Sequence, residues 1–169
     1  MEEYSHKEIF TTKLDIEVSK ISNNIDQVLL SEIKKKNGDI CNENGYLFKD
    51  SIQLLNRSLG KITGVSNKSV ISYIVKYSGN IITPAKGEEY ECHIEEISKM
   101  GILAYIKDED KYVNINESPL LIIIPSPILE AANISIDNYR RGQKIIIIVE
   151  AFRIKYNNKQ IQIIGKIKV

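Results

Sequence analysis

The sequence has little cysteine, no tryptophan and no long apolar run, and these absences exclude whole classes of protein. Two cysteines in 169 residues are too few for a disulfide framework of the kind that stabilises small secreted domains. The longest apolar runs, residues 119–125 and 145–149, have the length of buried strands and fall well short of the ~20 residues that a membrane-spanning helix needs. The first ten residues are charged and lack the apolar segment of a signal peptide. We therefore expect an intracellular protein with no membrane partner.

An excess of one sign of charge is also missing, because 23 basic residues face 22 acidic ones. A dedicated nucleic-acid binder is usually strongly basic, so any nucleic-acid contact here must come from a local patch and from base stacking. A near-neutral surface is equally typical of a protein that mainly binds other proteins. Isoleucine and asparagine are abundant and lysine greatly outnumbers arginine, which suggests a source with an AT-rich genome.

Motifs for catalysis and cofactor binding are absent from the sequence. It contains no phosphate-binding or dinucleotide-binding glycine motif and no CxxC pair. Cys92 and His93 are neighbours on a predicted strand, so their side chains point to opposite faces and cannot bind one metal ion. We interpret the acidic run 108–110 as a solvated loop rather than a cation site. We predict that the isolated chain has no enzymatic activity, no cofactor and no metal.

The first half of the sequence predicts a small α+β domain. Apolar and polar residues alternate from Phe10 to Val18, which is typical of a strand with one buried face. After a predicted N-cap at Ser22, apolar residues recur at helical spacing and predict an amphipathic helix. The predicted helix ends at Asn37-Gly38. We assign the preceding lysines, residues 34–36, to the negative end of the helix dipole, with a phosphate contact as the alternative.

Further strands are predicted between residue 45 and Pro84. An irregular β region covers residues 45–62, and a more regular strand covers residues 71–77. We interpret Ser78-Gly79-Asn80 as a turn, and Pro84 with Lys86-Gly87 as a domain boundary. The predicted domains are therefore residues 1–84 and residues 85–169.

The second half is predicted to be all β except for one short helix. Tyr90, Cys92 and Ile94 share one strand face, and the next apolar residue, Ile97, breaks the alternation. One extra residue at Glu95-Glu96 restores it, so we predict a bulge there. Gly101 is predicted to form a tight turn, after which Ile102, Ala104 and Ile106 point inward while Leu103 and Tyr105 point outward. A hairpin turn at Asn157-Asn158 joins the last two strands. Five strands with a short helix after the third match the layout of an OB-fold barrel.

Residues 86–168 resemble the ribosomal S-one variety of the OB-fold, an RNA-binding module. Lys86-Gly87 opens the module, residues 99–106 fill its glycine-turn motif, and Arg141-Gly142-Gln143 precedes its fourth strand. The preceding half resembles the tip domain of the seventh-subunit family of RNA polymerase II, a family that also has archaeal members. That resemblance rests on Gly45-Tyr46, on Gly60 and on residues 73–77 leading to Pro84.

The resemblance implies a stalk subunit of a multisubunit DNA-directed RNA polymerase. Members of this family are not catalysts by themselves. They dock on the large polymerase subunits through the tip domain, pair with a small helical partner, the fourth subunit, and meet nascent single-stranded RNA with the OB domain. Divergence, small size and composition suggest a large DNA virus or an AT-rich protist. The protein would then be located with the polymerase, in the nucleus or in a viral factory or virion.

The resemblance also assigns candidate residues to each contact. The candidates for RNA binding lie on the predicted barrel: Lys99, Leu103, Tyr105, Lys107, Arg140, Arg141, Arg153 and Lys155. The candidates for docking on the polymerase core lie in one glycine-containing loop: Arg57, Gly60, Lys61, Gly64 and Lys68. The candidates for the partner subunit are Tyr73, Val75, Tyr77 and Pro84, whose apolar side chains are equally consistent with an internal core.

One position departs from the S-one pattern and keeps other functions open. An aromatic residue usually stands two positions after the turn glycine, where this sequence has Leu103. Tyr105 lies on the same predicted face and is the alternative platform for a base. We therefore expect weak RNA binding. The alternatives are a free-standing RNA-binding protein of the exosome-cap or translation-initiation type, and a structural assembly module that has lost RNA binding.

Overall fold

The computed structural model describes residues 4–65, 68–108 and 111–168. The chain divides into two compact units. The first comprises the described residues of Glu2–Asp39 and Leu47–Ile82, and the second comprises Ile40–Tyr46 and the described residues of Thr83–Val169. The predicted division after residue 84 lies two positions beyond Ile82. The grouping of Ile40–Tyr46 with the second unit is a feature that the sequence did not predict.

The first unit is built around one long strand that pairs on both edges. In chain order, the elements before residue 83 are β1 (His6–Glu17), α1 (Ile25–Asn37), β2 (Ile40–Cys41), β3 (Tyr46–Leu47), β4 (Gln53–Arg57), β5 (Lys61–Val65) and β6 (Lys68–Ile82). Of these, β2 and Tyr46 of β3 belong to the second unit. β1 pairs antiparallel with β6 along its whole length, and β4 and β5 pair with the other edge of β6. The core lies between this sheet and α1, where Leu29 and Ile33 are completely buried.

The helix begins two residues later than predicted. Asn24 is the N-cap, and its side chain accepts a hydrogen bond from the backbone N–H of Gln27. Ser22 instead accepts a hydrogen bond from the backbone N–H of Asn24. Both residues are good caps, so the sequence alone does not distinguish them. Three lysines fill the last turn, as predicted.

The predicted turn at Ser78-Gly79-Asn80 is wrong, because β6 runs through these residues without interruption. A Cβ atom on Gly79 would lie 2.6 Å from a methyl carbon of Leu47. The glycine is therefore explained by close packing and not by a turn. Ser78 is completely buried at its place in the strand.

The second unit contains a closed five-stranded β-barrel. Its elements are β7 (Glu89–Ser98), β8 (Gly101–Tyr105), β9 (Leu120–Pro125), α2 (Ser126–Ala131), β10 (Lys144–Arg153) and β11 (Ile161–Ile167). The strand order around the barrel is β10, β11, β9, β8, β7, and β7 pairs with β10 to close it. β9 and β11 are parallel, and all other neighbours are antiparallel. The protein is thus a mixed α and β structure with few helices, and the barrel is consistent with an OB-like barrel.

Three local predictions for the barrel are confirmed. The register between β7 and β8 shifts between Ile94 and Glu96, which is the predicted bulge. Gly101 makes the turn between the same strands with a φ of +132°. Asn157 takes a left-handed conformation, with φ of +63°, in the hairpin between β10 and β11. No helix among the described residues combines the length and apolar character needed to cross a bilayer.

Candidate nucleic-acid interface on the barrel

The outer side chains of three neighbouring strands form an aliphatic row. Leu103 on β8 pairs with Ile123 on β9, which in turn pairs with Ile164 on β11. Leu103 and Ile123 are half-buried, and Ile164 is 39% exposed. These side chains have no ring for base stacking and no charge for phosphate. The structure therefore places Leu103 on the outside, as predicted, within a surface that has little chemistry for RNA.

Tyr105 is not the exposed aromatic platform that the sequence predicted. It is only 6% exposed, and its hydroxyl donates a hydrogen bond to the backbone carbonyl of Val113 at 3.1 Å. Desolvation raises the pKa of this phenol, with the Glu95 carboxylate acting in the same direction. The prediction failed because strand alternation indicates the side on which a residue lies but not whether a loop covers that side.

The covering loop is tied to the hairpin between β10 and β11. The side-chain amide of Gln160 donates hydrogen bonds to the carbonyls of Ile115 and Ser118, at 2.5 and 2.8 Å. The loop leads into β9 and the hairpin leads into β11. Because these two strands are parallel, both segments lie at the same end of the barrel.

This end of the barrel carries exposed cations and aromatic rings. Three of the predicted RNA-binding residues, Lys107, Arg153 and Lys155, are exposed, and within the described part of the chain no ion pair involves them. Phe152 and Tyr156 are 42% and 65% exposed. We define the hairpin cluster by its exposed basic and aromatic side chains: Phe152, Arg153, Lys155, Tyr156 and Lys159.

The sequence analysis missed both aromatic members of the hairpin cluster. The alternation of aromatic and basic residues along 152–159 is the available signal, since a single strand of nucleic acid needs both stacking rings and phosphate-binding cations. By periodicity alone, Phe152 and Tyr156 are simply parts of a strand and its turn. The pairing of Phe152 with Ile163 places it close to the end of the barrel, where its ring is partly uncovered.

The remaining predicted cations lie at the opposite end of the barrel. Lys99 is in the turn that precedes β8, whereas Lys107 follows that strand. Arg140 and Arg141 belong to a turn that is fixed to β7, because the N–H of Gly142 donates to the carbonyl of Ile94 at 2.7 Å. The structure therefore separates the six predicted cations into two groups of three at opposite ends of the barrel. Leu103 and the buried Tyr105 lie on the strand between these ends.

Arg141 already has an anionic partner. Its guanidinium donates a hydrogen bond to the Glu95 carboxylate. Two further carboxylates on the outer face of β7 are neutralised in the same way, Glu89 by Lys168 at 2.7 Å and Glu91 by Lys144 at 2.6 Å. This side of the barrel is charge-balanced, so it gives no attraction to a polyanion.

The residues predicted to contact a partner subunit are buried. Tyr73, Val75 and Tyr77 are 7%, 0% and 4% exposed, and they belong to the core of the first unit. The Tyr77 hydroxyl accepts a hydrogen bond from the Asn37 amide at 2.8 Å. Pro84 is buried as well. These side chains therefore expose little surface for a partner, which favours the alternative of an internal core for the three strand residues.

The predicted docking loop comprises the connection from β4 to β5 and the hairpin formed by β5 and β6. Arg57 and Lys61 are exposed, while Gly60 lies where a Cβ would meet a methyl carbon of Ile71 at 2.6 Å. Gly64 and Lys68 are paired strand positions in the backbone. The tip residues 66–67 lie outside the described residues.

Two apolar residues of this hairpin were not predicted as site residues. Leu59 and Ile62 are 86% and 81% exposed. Leu59 lies between β4 and β5, and Ile62 lies in β5. Docking through the loop at residues 57–68 stays a prediction, and these two exposed aliphatic residues are additional candidates for it.

Neither thiol has the environment of a nucleophile. Burial raises the pKa of Cys41 to about 11 and that of Cys92 to about 12, so both are protonated at neutral pH. Within the described residues, no group of three or more potential metal ligands lies together. The acidic run 108–110 is described only at Asp108, which forms a bridge with Tyr112.

Comparison with known proteins gives no family assignment. No protein-family model matches the sequence, and no curated protein matches it.

Proposed function

We propose that the chain is a non-catalytic stalk subunit of a multisubunit DNA-directed RNA polymerase. The observation that carries this proposal is the order of its parts. A helix-containing sheet unit comes first, a tight turn at Ala85–Glu88 follows, and a five-stranded barrel completes the chain. That order matches the tip domain and the OB domain of the seventh-subunit family, which the sequence resembles.

The topology of the barrel supports its assignment as an OB-fold. Counted along the barrel, its strands lie in the order first, second, third, fifth, fourth, and the fourth closes on the first. A short helix, α2, follows the third strand directly. A closed or nearly closed five-stranded barrel whose loops bind oligonucleotides is the OB-fold. The hairpin cluster is located in the loop between its fourth and fifth strands.

In this proposal the transcript binds to the hairpin cluster and not to the outer face of β8. A base stacked on an aromatic side chain contributes about 1–3 kcal/mol, and Phe152 and Tyr156 are available for such contacts. Arg153, Lys155 and Lys159 would bind phosphates beside them. The formal net charge of the whole chain is only +1, so the affinity of the isolated chain is expected to be low and to be supplemented by the assembled polymerase.

Docking on the large polymerase subunits is assigned to the hairpin at residues 57–68. Leu59 and Ile62 supply exposed apolar area, and Arg57 and Lys61 supply charge. The contact with a small helical partner subunit must use surface residues other than Tyr73, Val75, Tyr77 and Pro84. A location with the polymerase, in the nucleus or in a viral factory, is part of the same proposal.

A free-standing RNA-binding protein is the second candidate, and the hairpin cluster is the observation that favours it. The two candidates differ in whether stable protein partners exist. Affinity purification of the tagged chain from its native source at ~0.5 M salt distinguishes them, because salt weakens phosphate contacts far more than apolar interfaces. Recovery of the large polymerase subunits with a small helical protein supports the stalk. Recovery of ribosomal or nuclease components, or of RNA at low salt only, rejects it.

A further inference from the structure

The hairpin between β10 and β11 has a fixed backbone that carries unengaged side chains. Among the described residues, no hydrogen bond or ion pair involves the side chains of the hairpin cluster. The backbone of the hairpin and the residue at its end are instead hydrogen-bonded to two other segments of the second unit. A ligand that binds to such a surface meets groups whose backbone does not have to be ordered at the moment of binding.

Gln160, the residue before β11, anchors the end of the hairpin. Its side-chain nitrogen donates to the backbone carbonyl of Ile115 at 2.5 Å and to that of Ser118 at 2.8 Å. An amide nitrogen carries two hydrogens, so these two bonds use both donors of the side chain. A side chain of the same length without an N–H group would therefore lose both contacts.

The segment that receives these two hydrogen bonds is itself fixed to the barrel. Ser118 is completely buried, and its hydroxyl donates to the backbone carbonyl of Leu120, the first residue of β9, at 3.0 Å. Earlier in the same loop, the backbone carbonyl of Val113 accepts the hydrogen bond from the Tyr105 hydroxyl at 3.1 Å. Gln160 therefore connects the hairpin to a part of the loop that the barrel holds in place.

The tip of the hairpin is anchored by a segment that precedes the barrel strands in the sequence. The backbone N–H of Cys41 donates to the carbonyl of Asn158 at 2.7 Å, and the carbonyl of Cys41 accepts from the N–H of Asn157 at 2.9 Å. Cys41 lies in Ile40–Tyr46, which belongs to the same compact unit as the barrel. The tip and the end of the hairpin are thus held by different segments, which limits the motion of the backbone between them.

We propose that Gln160 is a positioning residue for single-stranded RNA. It holds the hairpin so that the rings of Phe152 and Tyr156 and the neighbouring cations are in place before the strand binds. This inference rests on the proposed RNA contact of the hairpin cluster, and it adds a residue that contacts neither base nor phosphate. The physical basis is that ordering a loop during association lowers affinity, and a loop that is already held avoids this loss.

Gln160→Met in the full-length chain tests the proposal, because methionine keeps the length of the side chain and removes both donors. The probe is a labelled oligouridine of about ten nucleotides, within the range that one OB-fold binds, and anisotropy is measured at several salt concentrations. We expect the affinity to fall at least about threefold. The slope of log affinity against log salt should stay unchanged, because no phosphate contact is removed. Without RNA, the backbone amides of residues 154–160 should exchange hydrogen faster than in the wild type.

Gln143→Met is the matched control, because it also removes a hydrogen bond between a glutamine side chain and the backbone. The side-chain carbonyl of Gln143 accepts from the N–H of Arg140 at 3.0 Å, at the end of the barrel opposite the hairpin. This variant should leave both RNA affinity and hydrogen exchange in the hairpin unchanged. Equal losses of affinity in the two variants would indicate general destabilisation and overturn the positioning role.

The remaining outcomes distinguish this inference from the proposed function. If the wild type binds the oligouridine and Gln160→Met binds it equally well, the positioning role is overturned and the RNA contact stands. A smaller salt slope in Gln160→Met would show a direct phosphate contact, which also overturns the positioning role. If the wild type does not bind the oligouridine, the proposed RNA contact itself is rejected, and the positioning role with it.

Discussion

Gly101 has the most restrictive environment among the glycines of the barrel. Its φ is +132°, and a Cβ atom at this position would lie 2.1 Å from the backbone carbonyl oxygen of Ile124. Gly87 and Gly142 also have positive φ, at +89° and +80°, but no atom lies within 4 Å of a Cβ added to either. A comparison of the three glycines therefore distinguishes the cost of a positive φ from the additional cost of overlap with a backbone atom.

Gly101→Ala should destabilise the protein more than Gly87→Ala or Gly142→Ala. A positive φ alone costs a residue with a side chain about 1–3 kcal/mol. At Gly101 the overlap with a backbone atom of β9 adds to this cost, because a strand cannot move as a flexible side chain does. The free energy of unfolding in urea measures the difference. Equal losses in all three variants would show that the close approach to Ile124 has no energetic role.

Three hydroxyl and carboxyl groups form a hydrogen-bonded row on the sheet of the first unit. The hydroxyl of Ser72 donates to the Asp15 carboxylate at 2.6 Å, and Thr63 and Ser72 share a hydrogen bond of 2.8 Å. The hydrogen bond from Ser72 lowers the pKa of Asp15 below its usual value of 3.8, and the nearby Lys13 acts in the same direction. A lowered folded-state pKa means that the ionised form stabilises the fold.

The Asp15–Ser72 hydrogen bond should make stability depend on pH. Its contribution is complete above the unfolded pKa of 3.8 and is lost as the pH falls through the lower folded-state pKa. Ser72→Ala should therefore destabilise the protein more at neutral pH than in acid below 3.8. Thr63→Val removes the neutral hydrogen bond of the same serine and should have an equal effect at both. A pH-independent loss in Ser72→Ala would contradict this account.

At the scale of single residues, the alternation of apolar and polar residues predicted which face of a strand each side chain lies on. It did not predict whether another segment of the chain buries that face. Tyr90, Cys92 and Ile94 are buried as expected. Tyr105 was placed on the correct strand, and the loop that contains Val113 buries it. Tyr73 and Tyr77 were candidates for a partner contact on the basis of the resemblance, with an internal core as the alternative. In the structure, most of each ring is packed in the core, and Tyr77 has a hydrogen-bond partner there.

At the scale of elements, the predictions succeeded where backbone geometry has a local cause. The β7 bulge was predicted because one apolar residue, Ile97, breaks the alternation of the strand. The hairpin turn at Asn157 was predicted because asparagine tolerates a positive φ. Gly79 was misleading because a glycine in the sequence is equally consistent with a turn and with close packing. Its packing partner, Leu47, is distant in sequence and therefore was not predictable from the local pattern.

The hairpin between β10 and β11 is the element on which the proposed RNA contact depends. Tyr156→Ala should weaken binding of a single-stranded RNA about fivefold or more, since a stacked base contributes ~1–3 kcal/mol. Lys155→Ala should reduce the slope of log affinity against log salt by about 0.7, the value for one phosphate contact on a single strand. Anisotropy titrations at several salt concentrations measure both effects.

Lys99→Ala is the control for the hairpin variants, because Lys99 is an exposed cation at the other end of the barrel. It should leave both the affinity and the salt slope unchanged. The wild type, with three cations in the hairpin cluster, should show a slope of about −2. If Lys99→Ala and Lys155→Ala reduce the slope equally, RNA contacts both ends of the barrel, and the hairpin cluster is not the specific site.

At the scale of the whole molecule, the sequence predicted the order of the parts better than the surfaces on them. The mixed first half and the five-stranded barrel follow from periodicity and turn residues, which are local signals. Ile40–Tyr46 belong to the same compact unit as the barrel, and Cys41 forms backbone hydrogen bonds with Asn157 and Asn158. These residues are far apart in sequence, so local patterns could not predict the contact.

The balanced charge of the molecule bears on its function as a whole. A formal net charge of +1 provides little long-range attraction to RNA, so the proposed RNA contact relies on the local hairpin cluster and on further contacts in the proposed assembly. Leu59 and Ile62 are large aliphatic residues that are almost fully exposed, and the proposed assembly as a stalk subunit would cover them.

Crosslinking of a nascent transcript tests the central proposal most directly. Transcribing complexes are purified through a tag on this chain, their RNA is extended with 4-thiouridine, and crosslinked peptides are identified by mass spectrometry. The account predicts polymerase activity in the purified material and crosslinks to the segment that contains Phe152 and Tyr156. Purified material without polymerase activity, or active complexes in which the transcript crosslinks elsewhere and never to this chain, would contradict it.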